Sequence, residues 1–94
     1  MLDWNDAAEF THEGREGGLA IALHHGHVEF SIVPDPDGFH VEVHIDGVTV
    51  YSDDNYKAPD RDAGKRRAEG IYERQAAAWC NADMLAEILE RNKA

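Results

Sequence analysis

The segment HVEFSIVPDPDGFHVEVHIDGVTVYS, residues 27–52, decides the fold because it contains three strand-like runs separated by two turn sequences. In the first two runs, apolar and polar residues alternate, which is the period of a half-buried β-strand. The apolar positions are Val28, Phe30, Ile32, Phe39, Val41, Val43 and Ile45. The alternating positions are His27, Glu29, Ser31, His40, Glu42 and His44. The pattern predicts a sheet with one apolar face and one face of histidine and glutamate.

Turn chemistry organises these runs into an antiparallel meander. Asp46-Gly47 favours the positive φ angles of a two-residue type I′ hairpin, and residues 34–38, PDPDG, form the other link. Residues 19–23 also alternate, which predicts a further strand; a helix is the competing interpretation, because alanine and leucine are good helix formers. We therefore expect three to four strands within residues 19–52.

Helices are expected both before and after this sheet along the chain. Residues 3–12 are compatible with a short helix capped by Asp3 or Asn5, and the glycine-rich residues 12–18 read as a loop. Residues 60–92 form the expected helical layer, with Asp60 as N-cap. Its predicted buried face comprises Ala63, Ala68, Ile71, Tyr72, Gln75, Ala78 and Trp79.

Two interpretations of the carboxyl-terminal part remain open. Asn81 is a candidate cap for a second helix with an apolar stripe, but one continuous helix is also compatible with the sequence. In either case residues 1–94 are expected to form a single α+β domain, with helices on one face of the antiparallel sheet and the other face open. Cys80, the only cysteine, is interpreted as a buried structural thiol.

Charge is the strongest compositional feature. The chain has a formal net charge of −10, and residues 1–60 contain 13 acidic residues against Arg15 and Lys57. This balance of −11 disfavours direct binding of nucleic acid or anionic membrane and favours a basic partner. The helical part contains a basic cluster, expected mainly to pair with the acidic sheet half. Its members are Arg61, Lys65, Arg66, Arg67 and Arg74.

The location expected from the sequence is the cytoplasm. The amino terminus lacks a basic segment followed by an apolar core, and no stretch of the chain is long and apolar enough to span a membrane. A single cysteine excludes an intramolecular disulfide, which also fits a reducing compartment.

A row of histidines suggests a metal site as a hypothesis of a different class. If Leu23 lies opposite Val28 and Phe30 opposite Val41, then His24, His27 and His44 share one row across three strands, with Glu29 facing Glu42. The same reasoning places Ile45 opposite Val48, His44 opposite Thr49 and Glu42 opposite Tyr51. Three imidazoles could hold Zn²⁺ for a metal-dependent hydrolase, but outer strands lie roughly 10 Å apart, which opposes one shared ion.

Catalytic motifs do not occur in the sequence. Glu29 and Glu42 form a candidate acid/base pair, but exposed strand carboxylates are usually solvated, and no hydrolase elbow, P-loop or dinucleotide fingerprint appears. We therefore expect a protein that is not an enzyme and has no cofactor.

The acidic turns and open face are the candidate partner-binding surface. In size, acidity, single domain and lack of a catalytic motif, the chain resembles the small phage-encoded anti-CRISPR proteins, several of which act as nucleic-acid mimics or steric blocks. That resemblance implies an inhibitor that masks a basic, nucleic-acid-binding partner through carboxylates. The candidate residues are Glu29, Asp35, Asp37, Glu42, Asp46, Asp53 and Asp54.

A second resemblance covers about a third of the chain. The segment FSIVPDPDGFHVEV, followed by a helix, is similar to the opening of HicB-type antitoxins. It implies an alternative function, neutralisation of a basic toxin. The exposed sheet face and strand edges also leave a homodimer open.

Overall fold

The computed structural model describes residues 2–23, 26–53, 55–79 and 90. A single 3₁₀ turn, Trp4–Asp6, precedes an open antiparallel meander in the order β1-β2-β3-β4-β5. The elements are β1 (Ala8–His12), β2 (Arg15–Leu23), β3 (Val28–Asp35), β4 (Gly38–Ile45), β5 (Val48–Ser52) and α1 (Arg61–Trp79). The predicted α+β class is confirmed, and within the described residues the sheet has five strands where three to four were predicted.

The additional strand comes from the amino-terminal segment, where the predicted helix over residues 3–12 is wrong. Asp3 does accept a hydrogen bond from the backbone N–H of Asn5, at 3.1 Å, but the helical turn ends at Asp6. Glu13 and Gly14 have φ angles of 51° and 80° and form a tight turn within the predicted loop. The chain therefore folds back early, and β1 pairs with a β2 that begins at Arg15.

The predicted faces of the sheet are correct, but one register is shifted by two residues. Phe30 lies opposite Val43, not Val41. The shift arises because Pro36 and Asp37 form the centre of the turn, with Gly38 at its end. Proline at the first central position and glycine at the last are the preferences of a common β-turn.

The other predicted pairings are mostly confirmed. Leu23 lies opposite Val28, and across the Asp46-Gly47 turn Ile45 lies opposite Val48 and His44 opposite Thr49. Glu42, however, lies opposite Ser52 rather than Tyr51, because an irregularity in the β4–β5 pairing leaves one extra residue in β5. Such bulges are common at edge strands, where they interrupt further pairing.

The hydrophobic core lies between α1 and one face of the sheet. Its buried members are Leu2, Ile21, Val28, Phe30, Val41, Val43, Ile45, Ala68 and Ile71. Asp60 caps α1 as predicted: its Oδ1 accepts the N–H of Ala63 at 2.8 Å. Gly64 allows close approach to β3, since a Cβ there would lie 2.8 Å from Ile32 Cγ2. Gln75, predicted on the buried face, is exposed.

Several predictions fall outside the described residues. These are the structural role of Cys80, the second helix capped by Asn81, and the side-chain positions of Ala78 and Trp79. They stay predictions.

Candidate functional site

The face of the sheet opposite α1, on which no described helix packs, is called the open face and contains a shallow groove of about 380 Å³. It arises where small side chains stand between larger ones: Ala20 and Ser31 lie opposite each other on β2 and β3 and leave space above the sheet. The residues that line the groove are Phe10, His12, Ala20, Glu29, Ser31, Val33, Glu42 and His44.

The strand register gives this groove one acidic and one apolar end. Along β3 the successive residues of the open face are Glu29, Ser31 and Val33. Glu29 lies beside His44 and Ser31 beside Glu42, so carboxylates occupy one end and the middle.

Phe10 forms the wall at the apolar end. Leu19 of β2 lies opposite Ile32 of β3, so the preceding residue, Gly18, lies at the end of the groove that Val33 lines. The Phe10 ring lies over Gly18, where a Cβ would come within 2.6 Å of it. Glycine at this position is therefore what allows the aromatic ring to lie down on the sheet.

Beside the groove, acidic and basic side chains alternate in a row that follows β4. His40 Nδ1 contacts Asp35 Oδ2, and its Nε2 lies 2.6 Å from Glu42 Oε2. Lys57 donates to the same Asp35 oxygen at 2.8 Å, which ties the connector after β5 to the β3–β4 turn. Since both ring nitrogens of His40 face carboxylates, the doubly protonated imidazolium satisfies both contacts.

The pKa values in this row of side chains depend on its partial burial. Burial lowers the pKa of His40, but the hydrogen bonds and negative charges of Asp35 and Glu42 outweigh it and raise the pKa above its usual value. For Asp35, burial acts to raise the pKa, but Lys57 and His40 hold it below its usual value. Both shifts favour the charged form, imidazolium for His40 and carboxylate for Asp35.

His44 continues the row of side chains on the other side of Glu42. Its Nε2 lies 3.1 Å from Glu42 Oε1, and its Nδ1 lies 3.2 Å from the Thr49 hydroxyl oxygen. A neutral imidazole with its proton on Nε2 satisfies both contacts, because it donates to Glu42 and accepts from Thr49. Both carboxylate oxygens of Glu42 are thus occupied by histidine nitrogens.

Glu29 differs from these carboxylates. It is exposed and accepts one hydrogen bond, from the Ser31 hydroxyl at 3.2 Å to Oε1. Among the described residues it has no ion-pair partner. Its carboxylate therefore lines the acidic end of the groove without a cation from the described residues beside it.

Asp53, predicted to bind a partner, is instead an internal anchor. Its side chain is only 2% exposed, and it accepts bonds from Arg67 Nε at 3.2 Å and Nη2 at 2.9 Å. The Tyr51 hydroxyl donates to it at 2.5 Å, and the Arg67 guanidinium lies 4.6 Å from the Tyr56 ring centroid. This cluster fixes α1 to the end of β5, which leaves Asp53 unavailable to a partner.

Five of the six remaining predicted partner-binding residues divide into two groups. Glu29, Asp37 and Asp46 are exposed, although Asp46 Oδ1 lies 2.8 Å from His27 Nδ1. Asp35 and Glu42 are held by the histidine and lysine contacts given above. Asp54 lies outside the described residues.

The predicted histidine row is corrected by the register. Glu29, not His27, lies opposite His44, and His27 stands in the turn before β3, where it contacts Asp46. His24 lies outside the described residues. No group of three or more histidine, cysteine, aspartate or glutamate side chains is arranged to hold a metal ion in the described ranges.

Long-range partners were the features that sequence reasoning missed. Lys57 is 22 residues from Asp35, and Arg67 is 14 residues from Asp53. The interpretation of the basic cluster as pairing with the acidic half does agree with the Arg67 contact and with Arg61, whose Nη1 lies 3.4 Å from Glu9 Oε1. The β1 wall of the groove could have been found only by recognising the Glu13-Gly14 turn.

No family model matches this chain, and neither a curated protein nor a solved structure was found that is significantly similar to it. Within the described part of the chain, no helix has the length and apolar character needed to cross a membrane.

Proposed function

We propose that this protein is a non-enzymatic inhibitor that binds a basic, nucleic-acid-binding protein and covers the surface used for DNA or RNA. The charge distribution carries the proposal: residues 1–60 have a balance of −11, with Arg15 and Lys57 as their only basic residues apart from histidine. Such a field attracts a basic protein and repels nucleic acid. An anti-CRISPR-like steric block or acidic mimic would act in this way.

The positions of the exposed carboxylates support this proposal. Asp37 and Asp46 stand in the turns at the two ends of β4, a strand about 24 Å long at the usual rise per residue. Glu29 lies between them on the open face. Carboxylates fixed at separate points of a sheet can contact several basic side chains at once without reorganisation of the sheet.

The proposal is tested by capture followed by reconstitution. Tagged protein is used to capture partners from a bacterial lysate, which are eluted with rising salt and identified by mass spectrometry. The purified partner is then mixed with fluorescent DNA or RNA, and its binding is followed by anisotropy while the protein is titrated in. We expect the protein to displace the nucleic acid, and less effectively at higher salt.

Two double variants that remove the same number of charges distinguish an effect of this surface from an effect of the overall charge. The double variant Asp37→Asn, Asp46→Asn should weaken displacement several-fold, mainly through slower association. The control Asp62→Asn, Glu73→Gln removes two charges from exposed positions on α1 and should have little effect. Full nucleic-acid binding at saturating protein would contradict the proposal.

The same capture distinguishes the antitoxin alternative. An antitoxin would also mask a basic protein, but the partner would be a toxin whose growth inhibition is relieved by co-expression. A nucleic-acid-guided complex as partner would support the anti-CRISPR-like form instead.

A further inference from the structure

We propose that the groove on the open face binds one arginine side chain of the basic partner. This inference rests on the proposed function and specifies the chemistry that its surface recognises. The arginine stem would lie along the apolar end beside Phe10 and Val33. Its guanidinium would then reach Glu29 and Ser31 at the acidic end.

The order of residues along the groove matches the order of groups in an arginine side chain. Arginine has an aliphatic stem and a charged head, and it buries the stem against apolar surface while the head stays polar. The groove runs from Phe10 and Val33 past Ala20 and Ser31 to Glu29. Its volume, about 380 Å³, is near the lower end of the usual 300–1,000 Å³ range for ligand pockets. This volume is sufficient for one long side chain.

Charge complementarity favours a cation at the Glu29 end. Glu42 has a histidine nitrogen at each oxygen, and Asp35 is held by His40 and Lys57. Glu29 instead has only the Ser31 hydroxyl as a hydrogen-bond donor within the described residues, at Oε1. A guanidinium that donates to Glu29 would supply an ion pair that no described residue makes with this carboxylate.

Arginine fits these groups better than lysine. The guanidinium is planar and more weakly hydrated than an ammonium, so it gives up less hydration free energy when it enters a groove with an apolar wall. Its five donors can serve the carboxylate of Glu29 and the hydroxyl oxygen of Ser31 together. A lysine ammonium presents a compact, strongly hydrated charge that gains less from this arrangement.

The test is an NMR titration of the ¹⁵N-labelled full chain with the capped tripeptide Gly-Arg-Gly. The matching citrulline peptide is isosteric but neutral, and the lysine peptide keeps the charge but not the planar head. We expect the arginine peptide to shift the amide signals of Ala20, Glu29, Ser31 and Val33. Citrulline should bind at least tenfold more weakly, and lysine with an intermediate affinity.

Two variants test the groove by different means. Glu29→Gln should weaken arginine binding about tenfold, whereas Glu73→Gln, an equal loss of charge on α1, should leave it within twofold. Ala20→Val narrows the groove without a change of charge and should also weaken binding. Retained dispersion of the amide spectrum shows that each variant is folded.

The outcomes separate this inference from the proposed function. Equal binding of arginine and citrulline, equal effects of Glu29→Gln and Glu73→Gln, or shifts scattered over the acidic turns would each overturn the arginine site. If the captured partner is nevertheless displaced from nucleic acid by the Glu29→Gln variant as well as by the wild type, the proposed function stands without the groove. If groove binding is confirmed but nucleic acid is not displaced, the masking function fails.

Discussion

His40 Nε2 lies 2.6 Å from Glu42 Oε2, while the other ring nitrogen of His40 contacts Asp35. The His40 side chain is 11% exposed, so this imidazole is largely shielded from water and held between two acids. Its positive charge offsets the repulsion that the two carboxylates would otherwise experience on the same face. The consequence is a link between folding stability and pH.

Stability should fall as the pH rises above the ordinary histidine value. The pKa of His40 is raised above 6.5, so the folded state binds this proton more tightly than the unfolded chain. The stabilisation is fully present below pH 6.5 and is lost as the pH rises through the higher folded-state pKa. Urea denaturation at a series of pH values should show this decline, and His40→Gln should remove most of it.

His27→Gln is the control for this pH dependence. His27 also contacts an aspartate, Asp46, but its side chain is 50% exposed. The variant should retain the decline in the free energy of unfolding above pH 6.5. If the wild type and His40→Gln lose stability equally over this range, the charged His40 bridge is not its source.

At acid pH the buried Asp53 should determine part of the loss of stability. Burial raises the pKa of Asp53, but hydrogen bonds from Arg67 and Tyr51 outweigh it and hold the pKa below 3.8. The stabilisation is therefore present above pH 3.8 and is lost as the pH falls through the lower folded-state value. Asp53→Asn should lower stability at pH 6 and reduce its dependence on pH below 4, as followed by thermal denaturation. An unchanged acid slope would contradict this assignment.

Arg67→Met should strongly destabilise the fold. It leaves the Asp53 carboxylate, which is 2% exposed, without its cation. Breaking a buried ion pair typically costs 3–5 kcal/mol, and because Arg67 is itself partly exposed we expect about 3 kcal/mol. Arg66→Met, at the exposed neighbouring position, should change the free energy of unfolding by less than about 0.5 kcal/mol. Similar losses in both variants would argue against the anchor.

The sequence predicted the faces of the sheet better than its register. Moving Phe30 from Val41 to Val43 is a shift of two residues, and a shift of two keeps every side chain on its own face. Alternation alone therefore could not distinguish the two pairings. The difference lay in the turn, where Pro36 rather than Asp35 takes the first central position.

The candidate site was predictable only in part. Glu29 and Glu42 were assigned to the open face from their strand positions. Phe10 was missed because Asp3 and Asn5 are both typical N-cap residues, which favoured a helix over a strand for residues 3–12. The engagement of Asp53 by Arg67 depends on how α1 lies on the sheet, and residue spacing contains no information on that geometry.

Two glycines of α1 should respond in opposite ways to the same substitution. At Gly64, a Cβ would lie 2.8 Å from Ile32 Cγ2 in the packed layer between helix and sheet. Gly64→Ala should therefore destabilise the protein by about 1–3 kcal/mol through overpacking, despite the better helix propensity of alanine.

At Gly70, the nearest atom to an added Cβ is Arg74 Nη1 at 3.4 Å, the far end of a flexible side chain that can move away. Gly70→Ala should stabilise the protein by up to about 1 kcal/mol, because alanine is the better helix former and nothing rigid opposes it. Urea denaturation of both variants measures the two effects under the same conditions. Helix propensity contributes similarly at both positions, so the difference between the two changes in the free energy of unfolding reports the contact of α1 with β3. Stabilisation by both substitutions would contradict the close packing of Gly64 against Ile32.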